Sequence, residues 1–370
     1  MASKSGALPL YQQIYDKLIE EIRDGILKPG ERMPSENELS QRFGVSRITT
    51  KRTLEMLEER GLAQRVPGKG TFLIEGGAAG SHPGYCARLI GLVVTQFADE
   101  FGAVLVRSIE AACRELGYQI VLSLTYESQK LEEETIARLL EMGVCGIIIL
   151  PVHGEFYNSI ILKLILDKFP LVFVDRKLRG LEVSTVSSDN VAAAKAATDY
   201  LLGRGHRVLS FLTRRIANTS TLEDRLDGFI RSHVEAGIGV DKERQILELP
   251  VAFSVDILGE GEGDSREELT RVRDLLGCNP DITAIFAAEW TLAVIARRAA
   301  MELGKKTEIV CFDKPNRDRY LHQENVSFIL QPELEMGKEA VRIVHEHIMG
   351  AKDGIENVLL EATLIKDQSD

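Results

Sequence analysis

A stretch of basic side chains between Leu39 and Leu54 could bind an anionic partner. It holds four Lys or Arg residues and no Asp or Glu, although the whole chain has a formal net charge of −11. Arg47 could donate two hydrogen bonds to guanine O6 and N7, whereas Lys51 and Arg52 suit both phosphate and base contacts. Duplex DNA is therefore a candidate partner. Short hydroxyl side chains lie beside these basic residues, among them Ser46, Thr49 and Thr50.

Local capping signals place these side chains on the second helix of a pair. "PSENELSQRFG" offers Ser35 as N-cap, Glu38 as the partner in a capping box, and Gly44 as the helix end. Ser46 then caps another helix, which should end at Gly61. An amphipathic helix in "LPLYQQIYDKLIEEIRDGIL" precedes both. Helix, tight turn and helix form a helix-turn-helix, whose last helix would present its first two turns to the major groove.

A predicted hairpin follows the last of these helices. "LAQRVPGKGTFLI" reads as strand, glycine-containing turn and strand, with Arg65 and Lys69 near the tip. The alternative is an ordinary helical hairpin with a solvated basic face. The coincidence of two caps, a tight turn and a wing favours DNA binding over that alternative.

Charge and composition divide the chain into two predicted domains. Residues 1–75 contain twelve Lys and Arg against eleven Asp and Glu, so the acidic excess lies entirely beyond them. The segment "EGGAAGSHPGY" follows. It has no periodic pattern of apolar residues and therefore reads as a linker. We predict a DNA-binding domain at 1–74, a linker at 75–87 and a second domain at 88–370. The chain shows no signal peptide and no apolar run of about 18 residues, which predicts a cytoplasmic protein.

Cysteine, histidine and glycine patterns give no sign of a metal, a cofactor or catalysis. The five cysteines are widely spaced and never form C-x-x-C, so reduced thiols are expected. "GKGTF" lacks the spacing of a P-loop, and "GEGEG" is too acidic to hold phosphate. We therefore expect neither a metal, nor a cofactor, nor an enzymatic activity.

The basic stretch and its surroundings resemble a known DNA-binding domain. "PSENELSQRFGVSRITTKRTLEMLEERGLAQRVPGKGTFL" is similar to the winged helix of the GntR family, and the resemblance covers residues 8–73. It implies that Arg47, Thr49 and Lys51 contact DNA and that Gly68 enters the minor groove. The predicted DNA-contacting residues are Ser35, Glu36, Ser46, Arg47, Thr49, Thr50, Lys51, Arg52, Arg65, Gly68 and Lys69.

The chain beyond the linker follows the pattern of an α/β protein. Apolar runs such as "RLIGLVV", "YQIVLSL", "VCGIIIL", "PLVFV", "RVLSFL", "DITAIFAA" and "TEIVCF" are separated by helical segments, which predicts parallel sheets covered on both faces. Two sets of strands flank a helical segment that begins near Asn190, so we expect two lobes with a cleft between them. Ligands of such sheets bind beyond the carboxyl ends of the strands.

These segments resemble the effector domain of the LacI/GalR family, which has the type I periplasmic-binding-protein fold. The matching phrases include "VSSDN", "YLLGRGHRVLSFL", "RLDGF", "IVCFD" and "LQPELEMGKEAV". A GntR-type winged helix on such a body is similar to arabinose repressors. The resemblance implies a homodimeric repressor of carbohydrate-utilisation genes that a sugar or sugar-derived effector releases from operator DNA.

The same resemblance suggests which side chains meet the effector. Arg225 should hydrogen-bond its hydroxyl groups and Phe253 should stack on it. An ion pair of Arg225 with Glu223 or Asp227 is the structural alternative, and helix capping is the alternative for the aspartates at strand ends: Asp175, Asp189 and Asp313. The predicted effector-binding residues are Gln96, Phe97, Phe101, Asp175, Arg176, Arg225, Phe253, Glu289, Trp290, Asp313 and Gln331.

The chain departs from the family pattern at "AAEWTLAV", where Glu289 and Trp290 replace an Asn-Asp pair. Trp cannot accept a hydrogen bond, so Trp290 could line the cavity or stack on a sugar, fill the cavity, or pack outside it. A body that serves only dimerisation, or binds a non-sugar ligand or a protein, is the alternative to sugar sensing. A secreted sugar-binding protein would share the body but have no winged helix.

Overall fold

The computed structural model describes residues 10–23, 25–28, 30–59, 62–66, 69–74, 88–98, 100–152, 158–250, 262–313, 326–351 and 354–366. The chain divides into two compact units, with the boundary between Ala87 and Arg88. The predicted linker at 75–87 lies outside the described residues, as do Gly68 and Phe253. None of the helices in the described ranges is long and apolar enough to cross a membrane.

The first unit is a winged helix-turn-helix. Its elements are α1 (Leu10–Arg23), α2 (Glu36–Phe43), α3 (Arg47–Glu59), β1 (Ala63–Val66) and β2 (Gly70–Leu73). Ser35 and Glu38 form the predicted capping box, and Gly44 ends α2 with a φ of 65°. The antiparallel β1–β2 hairpin, called the wing below, packs with the helices on a shared apolar core. Leu18, Leu39 and Leu57 are fully buried there.

The first lobe of the second unit is a six-stranded parallel sheet in the order β13-β7-β6-β5-β3-β4. Its strands are β3 (Arg88–Val94), β4 (Tyr118–Leu124), β5 (Gly146–Ile149), β6 (Leu171–Val174), β7 (Ser184–Ser188) and β13 (Asn357–Leu360). Its helices are α4 (Ala103–Glu115), α5 (Gln129–Glu141), α6 (Ser159–Leu166) and α12 (Glu333–Ile348). β5 and β6 are apolar throughout and buried on both faces, as parallel strands between helices must be.

The second lobe repeats this plan in the order β14-β12-β11-β10-β8-β9, with β14 antiparallel to β12. Its strands are β8 (Leu209–Thr213), β9 (Ile246–Glu248), β10 (Ala284–Ala287), β11 (Glu308–Phe312), β12 (Ser327–Leu330) and β14 (Thr363–Ile365). Its helices are α7 (Asn190–Gly203), α8 (Ser220–Glu235), α9 (Lys242–Gln245), α10 (Glu262–Cys278) and α11 (Trp290–Glu302). The predicted fold class, a winged helix-turn-helix joined to a two-lobed α/β body, is confirmed.

The chain passes between the lobes after β7, after β12 and after β13. Two of these crossings are tied together, because Ser188 Oγ donates to Gln331 Oε1 at 2.8 Å. Gln331 Nε2 in turn donates to Asp313 Oδ1 at 2.6 Å. A hydrogen-bond chain therefore joins two of the connections between the lobes to Asp313, the residue that follows β11.

Candidate DNA-binding surface and effector cavity

The helix-turn-helix and the wing bring predicted DNA-contacting residues to one surface. A shallow groove of about 190 Å³ lies between α2, α3 and the wing. Five of the predicted residues line it: Ser35, Glu36, Arg47, Lys51 and Arg65. Lys69 is exposed beside β2. The surface therefore joins residues that are up to 34 positions apart in the sequence.

Glu36 holds two arginines at the groove before any partner binds. Its carboxylate lies 3.9 Å from Arg47 Nη2 and 3.6 Å from Arg65 Nη2. The Arg47 side chain is 66% exposed, and such exposed ion pairs contribute at most about 1 kcal/mol. Lys51 and Arg52 make similar exposed pairs with Glu55. Phosphate or base acceptors could therefore replace these carboxylates at small cost.

Ser46 and Thr50, at the start of α3, have different positions. Ser46 Oγ accepts from the Thr49 backbone N–H at 3.3 Å, which confirms Ser46 as the cap of α3. Thr50 is fully buried, and its Oγ1 lies 3.0 Å from the carbonyl oxygens of Glu36 and Arg47. The prediction that Thr50 contacts DNA is therefore wrong. Its hydroxyl links the start of α2 to α3, because Thr50, three residues after the first residue of α3, faces the domain core.

The second unit contains a cavity of about 650 Å³ between its lobes. Its walls come from the segments that follow the carboxyl ends of β3, β4, β5 and β6 in the first lobe, and of β8, β10 and β11 in the second. This is the ligand position expected for parallel sheets, and the volume suits a small molecule. Ten of the predicted effector-binding residues line the cavity: Gln96, Phe97, Phe101, Asp175, Arg176, Arg225, Glu289, Trp290, Asp313 and Gln331.

Arg225 is held in the cavity wall by α8 and by its own hydrogen bonds. Its Nε donates to Asn190 Oδ1 at 2.8 Å and its Nη1 to the Ala288 carbonyl at 2.7 Å. The guanidinium also lies 3.7 Å from the centre of the Phe312 ring. The alternative ion pairs do not form, because Glu223 pairs with Arg179 and Asp227 with Arg231. Two of the five guanidinium N–H groups are therefore used by hydrogen bonds to described residues.

Two aspartates occupy equivalent places in the two lobes and flank Arg225. Asp175 follows β6 and Asp313 follows β11, and both have a left-handed backbone, with φ of 63° and 72°. Neither caps a described helix, whereas Asp189 caps α7 by accepting from the Ala192 N–H. Burial raises the pKa of both carboxyl groups, although the Arg225 charge opposes that rise. Such strained, buried acids suit a binding site better than a structural role.

We expect the ionisation of Asp313 to make the second unit less stable as the pH rises. Burial raises its pKa from the usual 3.8 to about 7, so the folded chain keeps a proton that the unfolded chain loses near pH 4. The contribution of Asp313 to the free energy of unfolding is therefore lost as the pH rises from about 4 to 7. The charges that act on it come from Arg225, Asp175 and Glu289.

The measurement is the unfolding temperature of the second unit from pH 5 to 8. The wild type should lose more stability over this range than Asp313→Asn, whose amide oxygen can still accept from Gln331. Parallel curves for the two proteins would show that Asp313 does not titrate there.

Trp290 lines the cavity as part of the core. It is 4% exposed and packs with the apolar side chains between α10, α11 and β10, and its buried Nε1 has no hydrogen-bond partner among the described residues. It neither fills the cavity nor packs outside it. Because so little of the ring is accessible, it offers an N–H donor more than a stacking face. Phe97 is 41% exposed and has the freer ring.

Glu289 is held at the wall by a neighbour that the sequence did not suggest. Its Oε1 accepts from Arg214 Nε at 2.9 Å and from Thr291 Oγ1 at 2.7 Å. Arg214 also binds the Glu268 carboxylate, and it donates to the Pro250 carbonyl at 2.8 Å. One carboxylate oxygen of Glu289 therefore stays available while the other is fixed.

Glu127 and Arg214 were both missed by sequence reasoning, and so was Asn218. Each follows the carboxyl end of a strand, which is the signal that could have found them. Glu127 and Asn218 have φ of 56° and 64°. Four buried atoms of the cavity wall have no hydrogen-bond partner among the described residues: Glu127 Oε2, Asp175 Oδ1, Arg176 Nε and Trp290 Nε1.

Each of the two units matches a known protein-family model. The model of the gntR family of bacterial regulatory proteins matches residues 10–73. The model of the periplasmic binding protein domain matches residues 90–352, which is more than half of the chain. The chain therefore belongs to the periplasmic-binding-protein family, and its N-terminal residues match the gntR-family domain. It is therefore a transcriptional regulator with an N-terminal DNA-binding domain and a ligand-binding body.

Relatives of this regulator extend over both units. It is 30% identical over 249 residues to an arabinose metabolism transcriptional repressor of Geobacillus stearothermophilus, a match that covers 65% of each chain. It is 24% identical over 368 residues to an arabinose metabolism transcriptional repressor of Halalkalibacterium halodurans, covering 96% of this chain and 93% of that protein. The fold of the regulator CelR in complex with cellobiose matches 91% of this chain and 100% of that one with a TM-score of 0.66 at 21% identity.

Proposed function

We propose that this regulator represses carbohydrate-utilisation genes and leaves its operator when a sugar or sugar-derived effector binds the cavity. The observation that carries the proposal is the group of four unsatisfied buried polar atoms on the cavity wall. Buried polar atoms without partners are costly. A polyhydroxylated ligand supplies both donors and acceptors and could satisfy carboxylate, guanidinium and indole groups together.

The chemical character of the remaining wall supports the same class of ligand. Phe97 and Phe101 offer apolar ring faces, while Asp313 and Glu289 offer acceptors for hydroxyl groups. The names of the two arabinose repressors support a sugar of similar size. If the body served only dimerisation, this open cavity and its unsatisfied polar atoms would have no function.

The proposed mechanism links the cavity to the operator through the lobes. Two chains would pair through their bodies and present two winged helices to a pseudo-palindromic operator. A ligand that contacts both lobes would close the cleft around the Ser188–Gln331–Asp313 hydrogen-bond chain. The proposed DNA contacts are Arg47, Lys51 and Arg52 on α3, with Arg65 and Lys69 on the wing.

The only tryptophan in the chain provides the test. We expect one member of a panel of pentoses, hexoses and sugar phosphates to change the emission of Trp290 with saturation, and the same compound to release the protein from operator DNA. Coupling is reciprocal, so operator DNA should weaken binding of that compound by the same factor.

A ligand that binds without changing the emission is detected by the unfolding temperature, which is measured on the wild type and on Trp290→Phe. A panel that changes neither emission nor unfolding temperature would argue against a sugar effector and leave DNA binding intact. A compound that binds without altering operator affinity would contradict the linkage.

A further inference from the structure

Helix α3 exposes one large apolar side chain in its first turn. Ile48 is 81% exposed, whereas the other large apolar residues of this helix, Leu54, Met56 and Leu57, are at most 9% exposed. Burial of an isoleucine side chain is favourable, yet Ile48 lies outside the apolar core that the described residues of this domain form. Helix α3 therefore leaves an apolar contact for something outside the protein.

The surroundings of Ile48 indicate what that contact is. Arg47 precedes it, and Lys51 and Arg52 lie three and four residues later, so they share its side of the helix. Their side chains are half exposed or more, at 66%, 55% and 50%. An apolar residue within this cluster of cations suits a polyanion with an apolar group better than a membrane or an apolar protein surface.

Duplex DNA has one apolar group of this kind. In the major groove, every base pair presents hydrogen-bonding atoms, and only thymine adds a methyl group. We propose that Ile48 contacts a thymine methyl beside the base that Arg47 reads. This inference rests on the proposed role of α3 as the recognition helix, and it assigns part of the operator sequence to a residue that cannot form a hydrogen bond.

Exposed apolar residues also occur singly on protein surfaces without a role. Ile26, in the turn after α1, is an example in the same domain at 64% exposed. It gives a matched control, because Ile26→Ala and Ile48→Ala remove the same atoms from exposed positions. Neither substitution opens a cavity, so both variants should fold.

The experiment first selects binding sites from a random duplex library with the full chain. Each thymine of the selected duplex is then replaced singly by deoxyuridine, which removes only the methyl group, and affinity is measured at constant salt. We expect one replacement per half-site to weaken wild-type binding about three- to fivefold, the effect of one buried methyl or methylene group. The same replacement should not weaken Ile48→Ala further, whereas Ile26→Ala should behave as the wild type.

Two results would overturn the proposal. One is a wild type whose affinity no deoxyuridine replacement changes. The other is an Ile48→Ala variant that remains as sensitive to the replacement as the wild type, which would assign the methyl contact to another residue. Failure of the wild type to enrich any duplex would instead remove the DNA-binding function itself, and the role of Ile48 with it.

Discussion

Replacing Arg225 with methionine is expected to lower effector affinity about 30- to 5,000-fold, because the loss of one member of a buried charge group costs about 2–5 kcal/mol. The charges of Asp175 and Asp313 act on the guanidinium, which is fixed by Asn190 and the Ala288 carbonyl. Methionine fills similar space but removes the positive charge that acts on both Asp175 and Asp313, although Arg176 Nε still lies 4.0 Å from Asp175. Sugar hydroxyls would also lose their main donors on this wall.

Calorimetric titration with the sugar identified by Trp290 emission measures this effect. Arg231→Met is the matched control, since Arg231 lies on the same helix in an exposed pair with Asp227. Operator binding by the effector-free Arg225→Met protein should persist and thereby show that the winged helix is folded. Unchanged sugar affinity in this variant would exclude Arg225 from the effector site.

Replacing Arg47 with alanine is expected to cost about 1–3 kcal/mol on the selected operator, roughly 5- to 150-fold in affinity, and to relax one base position. Arg47 is exposed at the start of α3, the part of a recognition helix that we propose to enter the major groove. Glu36 holds it only through an exposed contact of 3.9 Å. A long, mobile arginine in this place can read guanine with two parallel hydrogen bonds.

The measurement compares specific and random duplexes at several salt concentrations. Lys69→Ala is the control, because a lysine beside the wing should contact phosphate and lose affinity equally on both duplexes, with a smaller salt dependence. Arg47→Ala should instead lose affinity mainly on the specific duplex. Equal losses on both duplexes for Arg47→Ala would show that Arg47 contacts the backbone and not a base.

Local signals predicted most of the elements that carry these residues. Ser35 and Glu38 satisfy free N–H groups within one helical turn, so the start of α2 can be read from four neighbouring residues. The runs "RLIGLVV" and "YQIVLSL" coincide with β3 and β4, because largely apolar runs are typical of parallel strands covered by helices. Position after a strand end, together with family resemblance, also indicated ten of the residues that line the cavity.

Two short strands, β7 and β14, had no comparable signal. β7 reads "STVSS" and β14 has three residues, and both depend on pairing with strands that are distant in the sequence. Short polar strands acquire their structure from the neighbour to which they bind, so the hydrophobic pattern alone does not distinguish them from loops. Their places at the crossings between the lobes became evident only from the topology.

Side-chain environment was likewise decided by tertiary packing. Thr50 looks like its neighbour Thr49 in the sequence, yet α2 covers only Thr50 and its hydroxyl binds the Glu36 carbonyl. Arg214 was overlooked because its carboxylate partners, Glu268 and Glu289, are 54 and 75 residues away. Capping and apolar runs act within a few residues of chain and can be read along it. Burial and ion pairing depend on which distant segments meet, and only the folded chain brings those segments together.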